Sequence, residues 1–187
     1  MNGIVILAAG ASTRLGRPKQ LLPYKGDTLL NRAIKAAAGV HAAAVAVVLG
    51  AEAELIQSGV TVPVVVNPQY EEGMASSIRC GIQYMITQGA ERVILMVCDQ
   101  PHVDAAHLSA LLAQQEATGA KIAASYYEGR SGVPALFDKS LFPELLALEG
   151  DVGARHVIEK HAAGTVVVPF PAGAVDIDTE QAWQALG

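Results

Sequence analysis

Only two cysteines, Cys80 and Cys98, stand in the 187 residues. They are too few and too far apart for a disulfide framework or a CxxC zinc site, so reduced thiols packed in a core are expected. Long apolar runs are lacking too. The longest nearly apolar stretch, residues 42–51, is about half of the ~20 residues that cross a bilayer, so no membrane span is expected. Met1-Asn2-Gly3 puts no basic region ahead of the apolar residues 4–9, and no cleavage-site pattern follows a long hydrophobic stretch; a cytoplasmic protein is expected. A basic excess is missing as well. The net charge of −5 argues against a protein that wraps nucleic acid, and any phosphate must be bound locally. What is present is apolar: 51% hydrophobic against 17% charged residues, with no low-complexity tract, which predicts one self-sufficient domain over residues 1–187.

Residues 4–8, 43–49, 62–66 and 93–98 are apolar runs rich in β-branched side chains, the pattern of buried parallel strands. Amphipathic helices are expected between them at 28–38, 75–88 and 104–118, the last with Asp104 as N-cap. Beyond Thr118, strands at 121–127, 133–137 and 166–170 and helices at 153–161 and 180–186 complete the alternation. Such a chain predicts an α/β fold, a mostly parallel sheet covered by helices on both faces. Ligands in open α/β sheets bind at the carboxyl ends of the strands, so the loops at 9–19, 67–77 and 99–101 are the ones to read for chemistry.

The first loop, "LAAGASTRLGRPKQLL", holds two glycines, two arginines and a lysine with no carboxylate. Gly10 and Gly16 allow conformations closed to other residues and let a ligand approach the backbone amides. Arg14 and Lys19 add a guanidinium fork and a compact ammonium, a combination suited to a polyphosphate. It is neither the dinucleotide G-x-G-x-x-G nor the P-loop, because five residues separate the glycines and Arg17-Pro18 precedes the lysine. The alternative is a surface turn with solvated basic residues.

This stretch resembles the signature of nucleotidyltransferases that activate small phosphorylated substrates, and most closely the molybdenum cofactor cytidylyltransferase family. "NPQYEEGMASSIRCGI", "CDQP" and "DIDT" match the same family in the same order, so the resemblance runs from about Ile4 to Thr179. It implies a three-layer Rossmann-like nucleotidyltransferase fold and transfer of CMP from CTP to the phosphate of molybdopterin, with release of pyrophosphate. It also implies nucleotide contacts at Ala8, Ala9, Gly10, Ser12, Arg14 and Lys19, and at Asn67, Gly73 and Ser77. Guanylyl relatives have Ala-Gly-Gly where this chain has Ala8-Ala9-Gly10, which favours the pyrimidine nucleotide. The stretch "LEGDVGARHVI" resembles the subset serving molybdenum hydroxylases. Gly132-Val133-Pro134 departs from the Gly-His-Pro common in the family.

Asp99 closes a strand, which places a carboxylate at the ligand edge where magnesium would meet phosphate oxygens and water. Asp176 or Asp178 would supply a second carboxylate; Asp178 is the favoured ligand, with an N-cap to the last helix as the alternative for one of the two. The helix beginning at Ala75 would offer its N-terminus to an anion or a polar base edge, the alternative for this segment being an ordinary Asn-Pro turn and helix cap. The histidine pairs 102/107 and 156/161 are spaced by five and do not share a helical face, so they are expected at the surface or behind the site. Arg14, Lys19 and Asp99 would act catalytically by positioning and charge alone, since a phosphate monoester needs no base to attack. Alternatives are a GTP-using or sugar-phosphate nucleotidyltransferase and a non-catalytic molybdenum cofactor chaperone.

Overall fold

Alternation along the first strand sets the layers. In β1 (Asn2–Ala8), Val5 and Leu7 face one core cluster while Ile4, Ile6 and Ala8 face the other, as the two-residue period of a strand buried on both faces requires. The computed structural model describes residues 1–41 and 43–186; Ala42, the first residue of the longest apolar run, and Gly187 lie outside the described residues. The hairpin β2 (Pro23–Tyr24) and β3 (Asp27–Thr28) leads into α1 (Leu29–Ala38), where the Thr28 hydroxyl accepts from the Asn31 amide. Then come β4 (Ala43–Leu49), α2 (Ala53–Gln57), β5 (Val64–Val66), α3 (Met74–Thr87) and β6 (Arg92–Val97). Helix α4 (Ala105–Thr118) starts at Asp104, whose carboxylate accepts from the His107 amide as expected. The chain closes with β7 (Ile122–Tyr127), β8 (Arg130–Asp138), α5 (Phe142–Leu146), α6 (Arg155–Lys160), β9 (Thr165–Pro169) and α7 (Glu180–Ala185).

The seven-stranded sheet runs β5-β4-β1-β6-β8-β7-β9. Helices α1 and α4 pack on one face, where Leu30, Ile34, Leu108 and Leu111 are buried. Helices α3, α5 and α6 cover the other through Ile78, Ile82, Leu145 and Val157. The chain steps outward from β1 to β4 and β5, then returns to lay β6 on the other side of β1. That reversal opens a crevice beyond the carboxyl ends of β1 and β6, the place where this class of sheet binds ligands.

One strand breaks the parallel pattern. β8 is antiparallel to both β6 and β7, because Glu128 and Gly129 have φ of +50° and +73°. Two consecutive left-handed residues close a two-residue hairpin with the twist its strands need, and a hairpin admits only antiparallel pairing. Among the described residues no helix is long and apolar enough to cross a membrane. Cys98 is buried and Cys80 half-buried, both as free thiols; burial pushes the Cys98 thiol up to about 12, so it packs as a small hydrophobe.

Candidate active site

The loop after β1 is a closed turn that returns Lys19 to the strand end. Gln20, fully buried, donates from Nε2 to the carbonyls of Ala8 at 2.7 Å and Gly10 at 3.2 Å. Ser12 takes a left-handed φ of +52°; its carbonyl accepts from the Leu15 and Gly16 amides, and its hydroxyl accepts from the Lys19 amide at 3.1 Å. Gly16 has φ +72° and needs its freedom. Gly10 lies outside the left-handed region, which corrects the expectation that its backbone requires glycine. A Cβ built there meets nothing within 4 Å, so its lack of a side chain leaves open room beside the backbone.

Lys19 joins two carboxylates from distant parts of the chain. Its Nζ lies 2.5 Å from Asp99 Oδ2 and 2.8 Å from Asp178 Oδ1, while exposed Arg14 reaches Asp178 Oδ2 at 3.1 Å. The tail arrives there because the Ile177 amide donates to the Asp99 carbonyl at 3.0 Å and the Ile177 side chain is fully buried with Leu22, Tyr24 and Leu29. Thr179, not an aspartate, caps α7, accepting from the Ala182 amide. Both Asp176 and Asp178 are thereby free of the capping alternative.

The charges of this group set one another. Burial by itself would pull the Lys19 ammonium down, but the two carboxylates outweigh it and hold the lysine charged well above its ordinary range. Burial pushes Asp99 up, against the pull of Lys19. The Lys19 hydrogen bond holds Asp178 down.

In the second loop, Asn67 is fully buried. Its Nδ2 donates to the Ser76 and Ser77 hydroxyls at 2.8 and 3.0 Å, and its Oδ1 accepts from the Gln69 amide. It therefore shapes the loop from behind, while Gly73 and Ser77 line the cleft itself. The start of α3 is not open to an anion as expected. The Gly150 carbonyl accepts from the Ala75 amide and the Asp151 carboxylate from the Met74 amide at 3.3 Å, so a distant turn caps the helix first.

Three cavities adjoin at the crevice. A cleft of about 200 Å³ is lined by Ala8, Ala9, Gly10, Lys19, Ser77 and Asp99, with Leu7, Tyr70, Met74, Val97 and Asp151, which sequence reasoning missed. Next to it, sharing Leu7, Met74 and Val97, lies a pocket of about 240 Å³ with Ile78 and Val133 in its wall and Arg130 and Arg155 beside them. The third takes in Asp99, Gln100, Arg130 and Asp176. Gln100 holds it together, donating to the Val133 and Gly173 carbonyls at 3.2 and 3.0 Å. Ser12 and Arg14 do not line the cleft; Ser12 braces Lys19, and Arg14 stands at the loop tip. Nothing local in the sequence marks Asp151, because only tertiary packing brings its turn against α3.

His107 is buried, contrary to expectation. It stacks on Phe170 with ring centroids 4.0 Å apart. The Ser125 hydroxyl donates to the Pro134 carbonyl at 2.6 Å, so it accepts from His107 Nε2–H at 2.7 Å, and the ring is a core group rather than a ligand.

Among the described residues no three His, Cys, Asp or Glu side chains gather to hold a metal alone. Asp99 and Asp178, both within reach of one ammonium, fit instead an ion bound by few carboxylates and completed by phosphate oxygens and water.

The glycine loop, the lysine shared by two acids and the adjoining pocket all lie at the switch-point crevice of an open α/β sheet, where such sheets bind ligands. The chain belongs to the MobA-like NTP transferase domain family, whose model matches residues 4–165. It is similar to the purine catabolism protein PucB of Bacillus subtilis, at 30% identity over 95% of this chain and 91% of that protein. It is also similar to the nicotine blue oxidoreductase of Paenarthrobacter nicotinovorans, at 33% identity over 81% and 78%, and to a molybdenum cofactor guanylyltransferase of Rhodobacter capsulatus, at 28% over 89% and 83%. Among solved structures, the Rv0371c homologue of Mycobacterium sp. strain JC1 superposes with a TM-score of 0.86 at 31% identity, covering 99% of this chain and 94% of that one. The manganese complex of Mycobacterium tuberculosis Rv0371C gives 0.79 at 27%, covering 99% and 97%.

Proposed function

We propose that this protein is a cytoplasmic enzyme that transfers CMP from CTP to the terminal phosphate of molybdopterin and releases pyrophosphate, in the maturation of a molybdenum hydroxylase. The observation that carries the reading is Lys19 held between Asp99 and Asp178 at the mouth of a cleft that Gly10 leaves open. The family relation supports the reaction class. The pyrimidine base is favoured by Ala9, which lines the cleft and, by the resemblance of the loop, takes the place that glycine holds in the guanylyl signature.

Binding of the triphosphate draws Lys19 and Arg14 from their carboxylates onto phosphate oxygens, where charge builds as the pyrophosphate leaves. The acceptor lies in the pocket beside Arg130 and Arg155, and its phosphate oxygen attacks the α-phosphorus while the bond to the pyrophosphate oxygen breaks. No proton has to be removed from a phosphate monoester already ionised near neutral pH, so alignment and electrostatics carry the rate. Asp99 and Asp178 would hold Mg2+, which would neutralise charge on the phosphates when bound. A pyrophosphate-release assay with CTP, GTP and ATP against purified molybdopterin tests this reading. CTP-dependent release requiring molybdopterin is expected. Preference for GTP would make the protein a guanylyltransferase, and tight binding of CTP and molybdopterin without release would make it a carrier. Ala9→Gly should narrow the CTP preference.

A further inference from the structure

The geometry points to Asp151 as the residue that reads the nucleotide base, with Ser77 as its partner, an inference that rests on the cleft being a nucleoside triphosphate site. Asp151 is exposed and lines the cleft together with Ser77, Tyr70 and Gly73. One of its oxygens, Oδ1, caps the Met74 amide at 3.3 Å; among the described residues the other has no donor. Its position is fixed by close packing, because a Cβ on Gly73 would stand 2.6 Å from the Gly150 carbonyl and 2.7 Å from the Asp151 backbone. Ser77 is buried, and its oxygen accepts from Asn67 Nδ2 at 3.0 Å. Its own hydrogen is left to donate, since among the described residues no acceptor lies within its reach. The far wall of the cleft therefore offers a charged acceptor and a hydroxyl donor from two rigidly held elements.

The cytosine edge matches that pair: the 4-amino group donates to Asp151, and ring N3 accepts from Ser77. Uracil reverses both positions, presenting O4 to a carboxylate and N3–H to a donor, so it leaves two polar groups misfaced. Adenine repeats the cytosine pattern on a larger ring, and the Ala9 methyl group and the small cleft oppose it.

Asp151→Asn is the informative variant, because its amide oxygen keeps the cap on Met74 while the outer oxygen becomes an N–H donor. Binding of CTP and UTP by calorimetry, in the presence of Mg2+, is compared for the wild type and the variant. The wild type should prefer CTP by ~10-fold or more, the scale of one hydrogen bond to a charged group. The variant should lose most of that ratio through weaker CTP and tighter UTP binding, with an unchanged melting temperature. An unaltered CTP-to-UTP ratio in a folded variant overturns the role of Asp151. The pyrophosphate assay reads the transferase activity separately, so a protein that selects CTP through Asp151 yet releases no pyrophosphate keeps this inference and loses the enzyme.

Discussion

Lys19 and Asp178, 159 residues apart in the chain, meet at 2.8 Å. The contact ties the glycine loop to the C-terminal segment, and Asp99 on the other side of the same ammonium ties both to the sheet. Three parts of the sequence that share no local pattern are thus joined by one charge. Removing a buried ion's partner leaves the remaining charges uncompensated. Lys19→Ala should accordingly lower turnover by more than ~100-fold, the loss expected for a group that stabilises transition-state charge. Circular dichroism should remain native while the melting temperature falls, since Asp99 stays buried but loses the ammonium that compensates its charge. A folded variant with unchanged turnover would sink the role of Lys19.

Asp99→Asn separates charge from shape. The amide keeps an oxygen facing Lys19 and roughly the same volume, so the melting temperature should move little. Magnesium-dependent pyrophosphate release should be lost, because a neutral amide is a poor replacement for a carboxylate on a hard divalent cation. Activity surviving at ordinary magnesium concentrations would place the ion elsewhere.

Gly10 and Gly73 should fail in opposite ways. Gly10 has ordinary backbone geometry and open space around a built Cβ, so Gly10→Ala should leave stability within about 0.5 kcal/mol while raising the KM for the triphosphate. Gly73 has φ +115°, and its Cβ would strike backbone. Gly73→Ala should cost at least about 1–3 kcal/mol from the strained backbone alone. Urea unfolding beside steady-state kinetics distinguishes the two, and equal stability losses would contradict the difference in packing.

His107 should make stability depend on pH below neutrality. Burial lowers its pKa, against a smaller opposing effect of Asp104, so the unfolded chain binds the proton more readily than the folded one. Stability is fully present above the unfolded value of about 6.5 and falls as pH drops through it toward the folded value. Urea unfolding at pH of about 7.5, 6.5 and 5.5, on both sides of the ordinary imidazole value, should show a loss that His107→Gln reduces. Parallel pH slopes in the two proteins would show that the ring titrates alike in both states.

The order of elements was legible in the sequence because each strand buried on both faces must be apolar along its length. The runs at 43–49 and 93–98 correspond to β4 (Ala43–Leu49) and β6 (Arg92–Val97), and the loops that follow β1 and β6 carry Lys19 and Asp99, which the fold brings together. The local capping signal at Asp104 matches the start of α4, whereas Thr28, read as the first residue of a helix, is the cap of α1. Tertiary structure decided what composition and spacing leave open. Sheet order placed β6 beside β1 and so made Asp99 the neighbour of Lys19; the buried Ile177 brought Asp178 to the same ammonium. Packing turned Asn67 inward, closed the start of α3 with Gly150 and Asp151, buried His107 against Phe170, and set Arg130 and Arg155 beside one pocket. Periodicity records which side of an element meets a core, but it carries no information on which distant element supplies that core, and the site is made where such elements meet.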